Sequence, residues 1–257
     1  MRKQRDHMFR IRILRQRQDN YSYLIQSGQQ VWCIDPAEAQ PVLQLLQRER
    51  LQLVAILNSH AHADHCGANL SLQQASGCPI FGADRRIPGL TTELTTTAQD
   101  AALPFRVLFT PGHTRGDCCY LLTDGVETPA LFSGDCLFIG GCGRLFEGSA
   151  AQLYQSLQQF NTLPDHCQLY CGHDYALDNY RFASRLLPDC REIRHQLQHY
   201  EERQRQGQPS VPAQLGDERR ANPFLRCHQA ALAQVLGCPA AAPVEVFRRL
   251  RLAKDQA

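Results

Sequence analysis

Four short apolar runs in this chain each lead into histidine or aspartate. Val54-Ala55-Ile56-Leu57 precedes Ser59-His60-Ala61-His62-Ala63-Asp64-His65, Val107-Leu108-Phe109 precedes His113, Leu131-Phe132 precedes Asp135, and Leu169-Tyr170 precedes His173. Imidazole nitrogen and carboxylate oxygen offered together at strand ends are the ligand types of a hydrolytic metal centre. His60 and His62 stand two apart just beyond a strand, so both rings can face one ion. Asp64 and His65 follow where a helix begins and the chain turns, and can face a second. Seven ligands are too many for one tetrahedral ion. They divide as His60, His62 and His113 on one metal and Asp64, His65 and His173 on the other, with Asp135 bridging. Two ions roughly 3.5 to 4 Å apart would hold a hydroxide between them. The donor set suits zinc, iron or manganese and does not choose among them.

A lone His113 or His173 would read most simply as a satisfied structural histidine. The cluster changes that reading, because burying its imidazoles and carboxylate without an ion to compensate them is costly. Glycine precedes the ligand in Gly112-His113, Gly134-Asp135 and Gly172-His173, where backbone must bend sharply near an ion. His7, His166, His195, His199 and His228 lack such company and read as surface residues.

The elements that must position these residues are mostly short strands. Residues 9–15, Tyr21 to Ile25 and Val31 to Ile34 read as strands, the last two joined as a hairpin at Gly28. A helix follows Asp35-Pro36 with Val42, Leu43, Leu45 and Leu46 as its stripe. Next come a strand at 53–57, a helix near 67–76, and strands near Pro79 to Phe81 and at 105–109. A second hairpin joins Cys118 to Leu122 with Ala130 to Phe132. Ser149 and Gln152 have capping-box spacing at the start of a helix over 150–160, and Gln168 to Cys171 reads as a strand. Strands both in hairpins and between helices predict two mixed sheets with helices outside, an α+β fold. Beyond about residue 175 the apolar period becomes helical, through Leu177, Ala183, Leu186, Ile193, Leu197 and Tyr200. Gly207 to Pro212 reads as a turn and Pro243 to Leu252 as a last helix.

Length and composition set the remaining bounds. The 257 residues, 43% hydrophobic and 20% charged, can bury a full core. With 27 basic against 25 acidic residues there is no global drive toward nucleic acid. Arg10 and Arg12 alternate with apolar residues as a solvated strand face would. No run approaches the roughly 18 to 20 apolar residues of a membrane span. A cytoplasmic location is the expectation, and the twelve cysteines, with no CxxC pair, read as reduced, buried small hydrophobes.

Ser59 to His65 resembles the THxHxDH signature of the metallo-β-lactamase superfamily, and the spacing to His113, Asp135 and His173 matches it. The stretch Asp135-Cys136-Leu137-Phe138-Ile139-Gly140-Gly141-Cys142-Gly143-Arg144-Leu145-Phe146-Glu147-Gly148 is similar to the loop of the glyoxalase II (hydroxyacylglutathione hydrolase) family. Gly172 to Tyr175, Ala221 to Arg226 and Arg251 to Gln256 resemble that family too. The resemblance implies an αββα sandwich, residues 8–174, followed by a small all-helical substrate-binding domain, residues 175–257. Residues 1–7 have no counterpart, and a start at Met8 is the expectation.

By the same resemblance the enzyme hydrolyses S-D-lactoylglutathione to D-lactate and glutathione, the second step of methylglyoxal detoxification. Two divalent ions, zinc ahead of iron or manganese, would supply a bridging hydroxide that attacks the thioester carbonyl, with Asp64 orienting it. Arg144, Tyr175, Arg251 and Lys254 would hold the glutathione carboxylates, with Phe146 beside them. Taken alone, Arg251 and Lys254 are an ordinary basic helix end. Ser59, Arg144, Phe146 and Asp174 stand where many members have Thr, Lys, Tyr and Glu, so one hydrogen bond to the tripeptide is absent at Phe146. The implied partner is a small-molecule thioester, with no nucleic acid, no membrane and a monomeric chain.

The competing reading is a persulfide dioxygenase-like oxidoreductase with one iron on two histidines and a carboxylate. It leaves Asp64, His65, His173 and the helical tail without a purpose. A nucleic-acid-processing enzyme would need a broad basic surface, and metal storage would leave the glutathione-like positions unexplained.

Overall fold

Alternating side chains build the first sheet from a meander. In this computed structural model, which describes residues 8–95 and 103–257, β1 (Arg10–Gln16), β2 (Asn20–Ser27) and β3 (Gln30–Ile34) pair antiparallel in order. Arg12 on β1 reaches Glu49 and Gln26 at 2.7 and 2.8 Å, so the basic residues there belong to a paired, solvent-facing edge. α1 (Ala39–Glu49) turns Val42, Leu45 and Leu46 inward and returns the chain to β4 (Gln52–Leu57), parallel to β3. α2 (Ala63–Cys66) and α3 (Asn69–Ser76) lead to β5 (Ile80–Gly82) and then β6 (Thr92–Glu93), which complete the order β1-β2-β3-β4-β5-β6. Leu24, Val31, Ile56, Leu72 and Ile80 form the core between this sheet and α1 and α3. Each such side chain contributes roughly 1.5 to 3 kcal/mol by its removal from water.

The second sheet repeats the scheme. β7 (Arg106–Phe109), β8 (Cys118–Leu122) and β9 (Ala130–Gly134) form an antiparallel meander. A small ribbon follows, β10 (Leu137–Phe138) with β11 (Gly141–Cys142), and then α4 (Ala150–Gln158). The predicted capping box is formed: Ser149 accepts from Gln152 N, and the Gln152 side chain accepts from Ser149 N. This crossover lets β12 (Gln168–Cys171) lie parallel to β9, as a parallel pair requires. Tyr23 from the first sheet sits between Phe132 and Tyr170 of the second, ring centroids 5.2 and 5.4 Å away.

The C-terminal region is helical, as expected: α5 (Ala176–Leu186), α6 (Arg191–Arg205), α7 (Leu215–Ala221), α8 (Ala230–Val235) and α9 (Pro243–Asp255). Within it β13 (Ala213–Gln214) adds an antiparallel edge to β12, giving the order β13-β12-β9-β8-β7. The sequence pattern does not foresee β13, the ribbon, α7 or α8, since two-residue strands have no period to read. All twelve cysteines are free, and eleven are buried. His166, His195, His199 and His228 are exposed as expected, whereas His7 lies outside the described residues.

Candidate metal centre

Strand direction gathers the four loops. β3, β4 and β5 run parallel, β9 and β12 run parallel, and two antiparallel steps make β7 parallel to β9. Their C-terminal ends therefore share an edge, and His60 follows β4, His113 follows β7, Asp135 follows β9 and His173 follows β12. Gly134, at φ 49°, makes the turn into Asp135. At Gly172 a Cβ would stand 2.4 Å from Asp135 Oδ1 and 2.7 Å from His65 Cε1, so a side chain there would intrude on the cluster.

His62 Nδ1 lies 2.9 Å from His60 Nε2 and 3.1 Å from His113 Nε2. On the other side His65 Nε2 is 3.1 Å from His173 Nε2, and Asp64 Oδ2 is 3.3 Å from His173 Nε2. Asp135 stands between, its Oδ1 3.2 Å from His65 Nε2 and its Oδ2 3.4 Å from His113 Nε2. Three triads, His60/His62/His113, His60/His65/Asp135 and Asp64/His65/His173, each keep their donor atoms within 4.8 Å of one another. Nitrogen ligands at 2.0 to 2.1 Å around a tetrahedral ion are separated by roughly 3.3 Å, close to these spacings.

The outer hydrogen bonds fix which ring nitrogen carries the proton. Ser59 Oγ donates to Asp35 Oδ2 at 2.6 Å, so at 3.0 Å it accepts from His60 Nδ1. His65 Nδ1 donates to Asp35 at 3.1 Å, His113 Nδ1 to the Arg144 carbonyl at 2.9 Å, and His173 Nδ1 to Asp19 at 2.8 Å. Each acceptor claims the Nδ1 proton, which leaves the four Nε2 atoms pointing inward. Asp135 Oδ1, buried among them, has no hydrogen-bond donor among the described residues. Ring nitrogens converging on a buried carboxylate need positive charge between them, and the donor set fits divalent metal ions.

Protonation follows the same logic. Burial, then the neighbouring His65, keeps His60 well below its ordinary pKa, and burial also lowers His113. Burial opposes charge on His173 as well, but hydrogen bonds to Asp135 and Asp64 outweigh it and push that imidazole up to about 10. His65 is raised too, because Asp135 and Asp35 overcome its burial. A hydrogen bond with His173 holds Asp64 well below the usual carboxylate range. Protons on His65 and His173 thus stand in for the cations that the carboxylates demand.

The cluster floors a cavity of about 560 Å³, with His60 and His65 buried behind it. Tyr175 lies flat on His173, centroids 4.8 Å apart, and Phe146, 63% exposed, stands edge-on to His62 and His113 at 5.2 Å from each. Arg144 points mostly into solvent, 3.9 Å from Asp255. Lys254 sits over the Phe182 ring at 5.0 Å, its pKa lowered by burial and by Arg251. Arg251 differs from a simple basic helix end: it is buried, donates to the Cys142 carbonyl at 2.8 Å, and pairs with Asp255 at 2.9 Å. Sequence reasoning missed Asp35, Asp19 and Asn20, whose Nδ2 donates to Asp64 Oδ2 at 3.0 Å. Asp35 alone carried a signal, since it also directly follows a strand.

Residues 16–173 match the family model described as the metallo-beta-lactamase superfamily, and residues 174–257 match that of the hydroxyacylglutathione hydrolase C-terminus. A curated hydroxyacylglutathione hydrolase of a Synechococcus species is 44% identical over 250 residues, covering 93% of this chain and 96% of that protein. Another, from Nitrosomonas europaea, is 40% identical, with 95% and 94% covered. Among solved structures, ETHE1 from Myxococcus xanthus superposes with a TM-score of 0.67 at 26% identity, covering 95% of this chain and 90% of that one. TTHA1623, solved in a di-iron-bound form, gives 0.59 at 26%, with 84% and 100% covered.

Proposed function

The chain belongs to the hydroxyacylglutathione hydrolase family of the metallo-β-lactamase superfamily, and on that premise we propose that it hydrolyses S-D-lactoylglutathione and related glutathione thioesters to glutathione and the free hydroxy acid. As a member it is a thioester hydrolase that binds divalent metal and acts on a small molecule. We divide it into a catalytic domain, residues 8–174, and a helical substrate-binding domain, residues 175–257.

His60, His62 and His113 would hold one ion and Asp64, His65 and His173 the other, with Asp135 shared. Zinc is the proposed metal, and the same ligands would take iron or manganese; the similar TTHA1623 was solved with two irons. A divalent pair, when bound there, would supply an acidified water and polarise a carbonyl. Asp64, ionised and held by Asn20, accepts a hydrogen bond from the attacking water and so orients it. The leaving thiol has a pKa near 8.5, so its thiolate departs without a strong general acid. Arg144 and Lys254 meet the glutathione carboxylates, and Phe146 and Tyr175 flank the peptide. Arg251, already paired with Asp255, adds residual charge and holds Cys142 in place.

One observation carries this reading: the cavity above the converging ring nitrogens is walled by cations from the loop after Asp135 and from α9. Among the described residues no helix is long and apolar enough to cross a membrane. A cytoplasmic location and a monomeric chain are part of the proposal. Thiol release from S-D-lactoylglutathione, compared with a lactoyl thioester of a neutral thiol, tests the proposal. Strong preference for the glutathione thioester is expected, and equal rates would remove the glutathione site.

A further inference from the structure

Glu218 on α7 is fully buried and lies outside the metal centre, yet it accepts three hydrogen bonds: from Gly140 N at 2.7 Å, Tyr180 Oη at 2.8 Å and Asn222 Nδ2 at 3.0 Å. A buried carboxylate is expensive, so its presence asks what it holds. It holds the turn of the β10–β11 ribbon. Asn222 Nδ2 also donates to the Phe138 and Gly141 carbonyls at 3.1 and 3.0 Å, and Asn179 Nδ2 to the Ile139 carbonyl at 3.0 Å. Four successive residues, 138 to 141, therefore have backbone groups satisfied by side chains of the helical region rather than by the ribbon alone.

That ribbon runs on into Arg144. The Arg144 carbonyl takes the Nδ1 proton of His113, and its side chain stands at the cavity rim. We propose that Glu218 is a positioning residue for thioester hydrolysis: with Asn222 and Asn179 it clamps residues 138–141, and through them sets both the Arg144 guanidinium that meets glutathione and the carbonyl that aims His113. The helical region thereby acts on the reaction from behind the loop as well as through Lys254. This rests on the reading of the cavity as a glutathione thioester site.

The test uses the full-length, metal-loaded protein with Glu218→Ala and Glu218→Gln. Glutamine keeps an oxygen for Gly140 and Asn222 and can donate to the Tyr180 oxygen, so it should rescue. Expected for Glu218→Ala are an increase of about tenfold in the Kd for glutathione and in KM for S-D-lactoylglutathione, and metal loss at lower chelator concentration, with Glu218→Gln within about twofold of wild type. A merely structural role would lower the melting temperature and leave the Kd of the folded protein unchanged, and that result overturns the proposal. If Glu218→Ala does not fold, Asn179→Ala, which removes one clamp bond, is measured by the same Kd, and an unchanged value overturns it equally. A wild-type protein that binds glutathione but releases none from the thioester would instead overturn the functional reading, and the proposal with it.

Discussion

Four of the five imidazoles at the centre are aimed by the group behind them, so the first predictions concern those groups. Asp35 accepts from Ser59 N at 2.7 Å, from Ser59 Oγ and from His65 Nδ1, and thereby orients a ligand on each side of the cluster. Asp35→Ala is expected to weaken metal binding by about 10- to 100-fold, read by competition with a chelator. Metal uptake should also release protons. With His173 pushed up to about 10 in the metal-free protein, its ring is charged at pH 7 and must become neutral to bind. Apparent affinity is then expected to rise by about tenfold per pH unit for each proton displaced, and calorimetry in buffers of different ionisation enthalpy counts those protons. The seven residues of the cluster were legible because each follows an apolar strand pattern closely. Asp19 was not, because its partner His173 lies 154 residues away and nothing local marks the pair.

The ribbon and α9 explain what the pattern could not show. Helical periodicity finds α5, α6 and α9, but not that Arg251 turns inward to hold Cys142. Arg251→Ala should raise KM and also cost roughly 2 kcal/mol of stability, since a charged, buried donor to a carbonyl is lost. An unchanged melting temperature with raised KM would make it a substrate contact alone. Glu218 gives a pH test of α7. Burial pushes its carboxyl from 4.5 up to about 7. A carboxyl raised in the fold contributes its stability fully below the unfolded value and loses it as pH rises through about 7. Relative to Glu218→Gln, the wild-type protein should therefore lose roughly 3 kcal/mol between pH 4.5 and 7. Denaturant titrations at the two pH values measure the difference, and parallel behaviour of the two proteins would show that the carboxyl is not strained.

For the whole molecule, the arrangement of parallel strand ends decides the chemistry. The expected pair of mixed sheets with outer helices is what places His60, His113, Asp135 and His173 on one edge, and it was legible because hairpins and crossovers leave different spacings in the sequence. Less legible was how the helical region joins the rest. One continuous core runs from Tyr23 and Phe132 between the sheets to Phe182, Phe224 and Phe247 in the tail, and only tertiary packing shows it. The proposed two-ion centre and glutathione-binding wall share a single cavity, so the most direct measurement titrates metal-free protein with zinc while following glutathione release from S-D-lactoylglutathione. Activity that saturates at about two ions per chain is predicted. Full activity at one ion, or a protein that takes one iron and consumes oxygen in place of releasing glutathione, would contradict it.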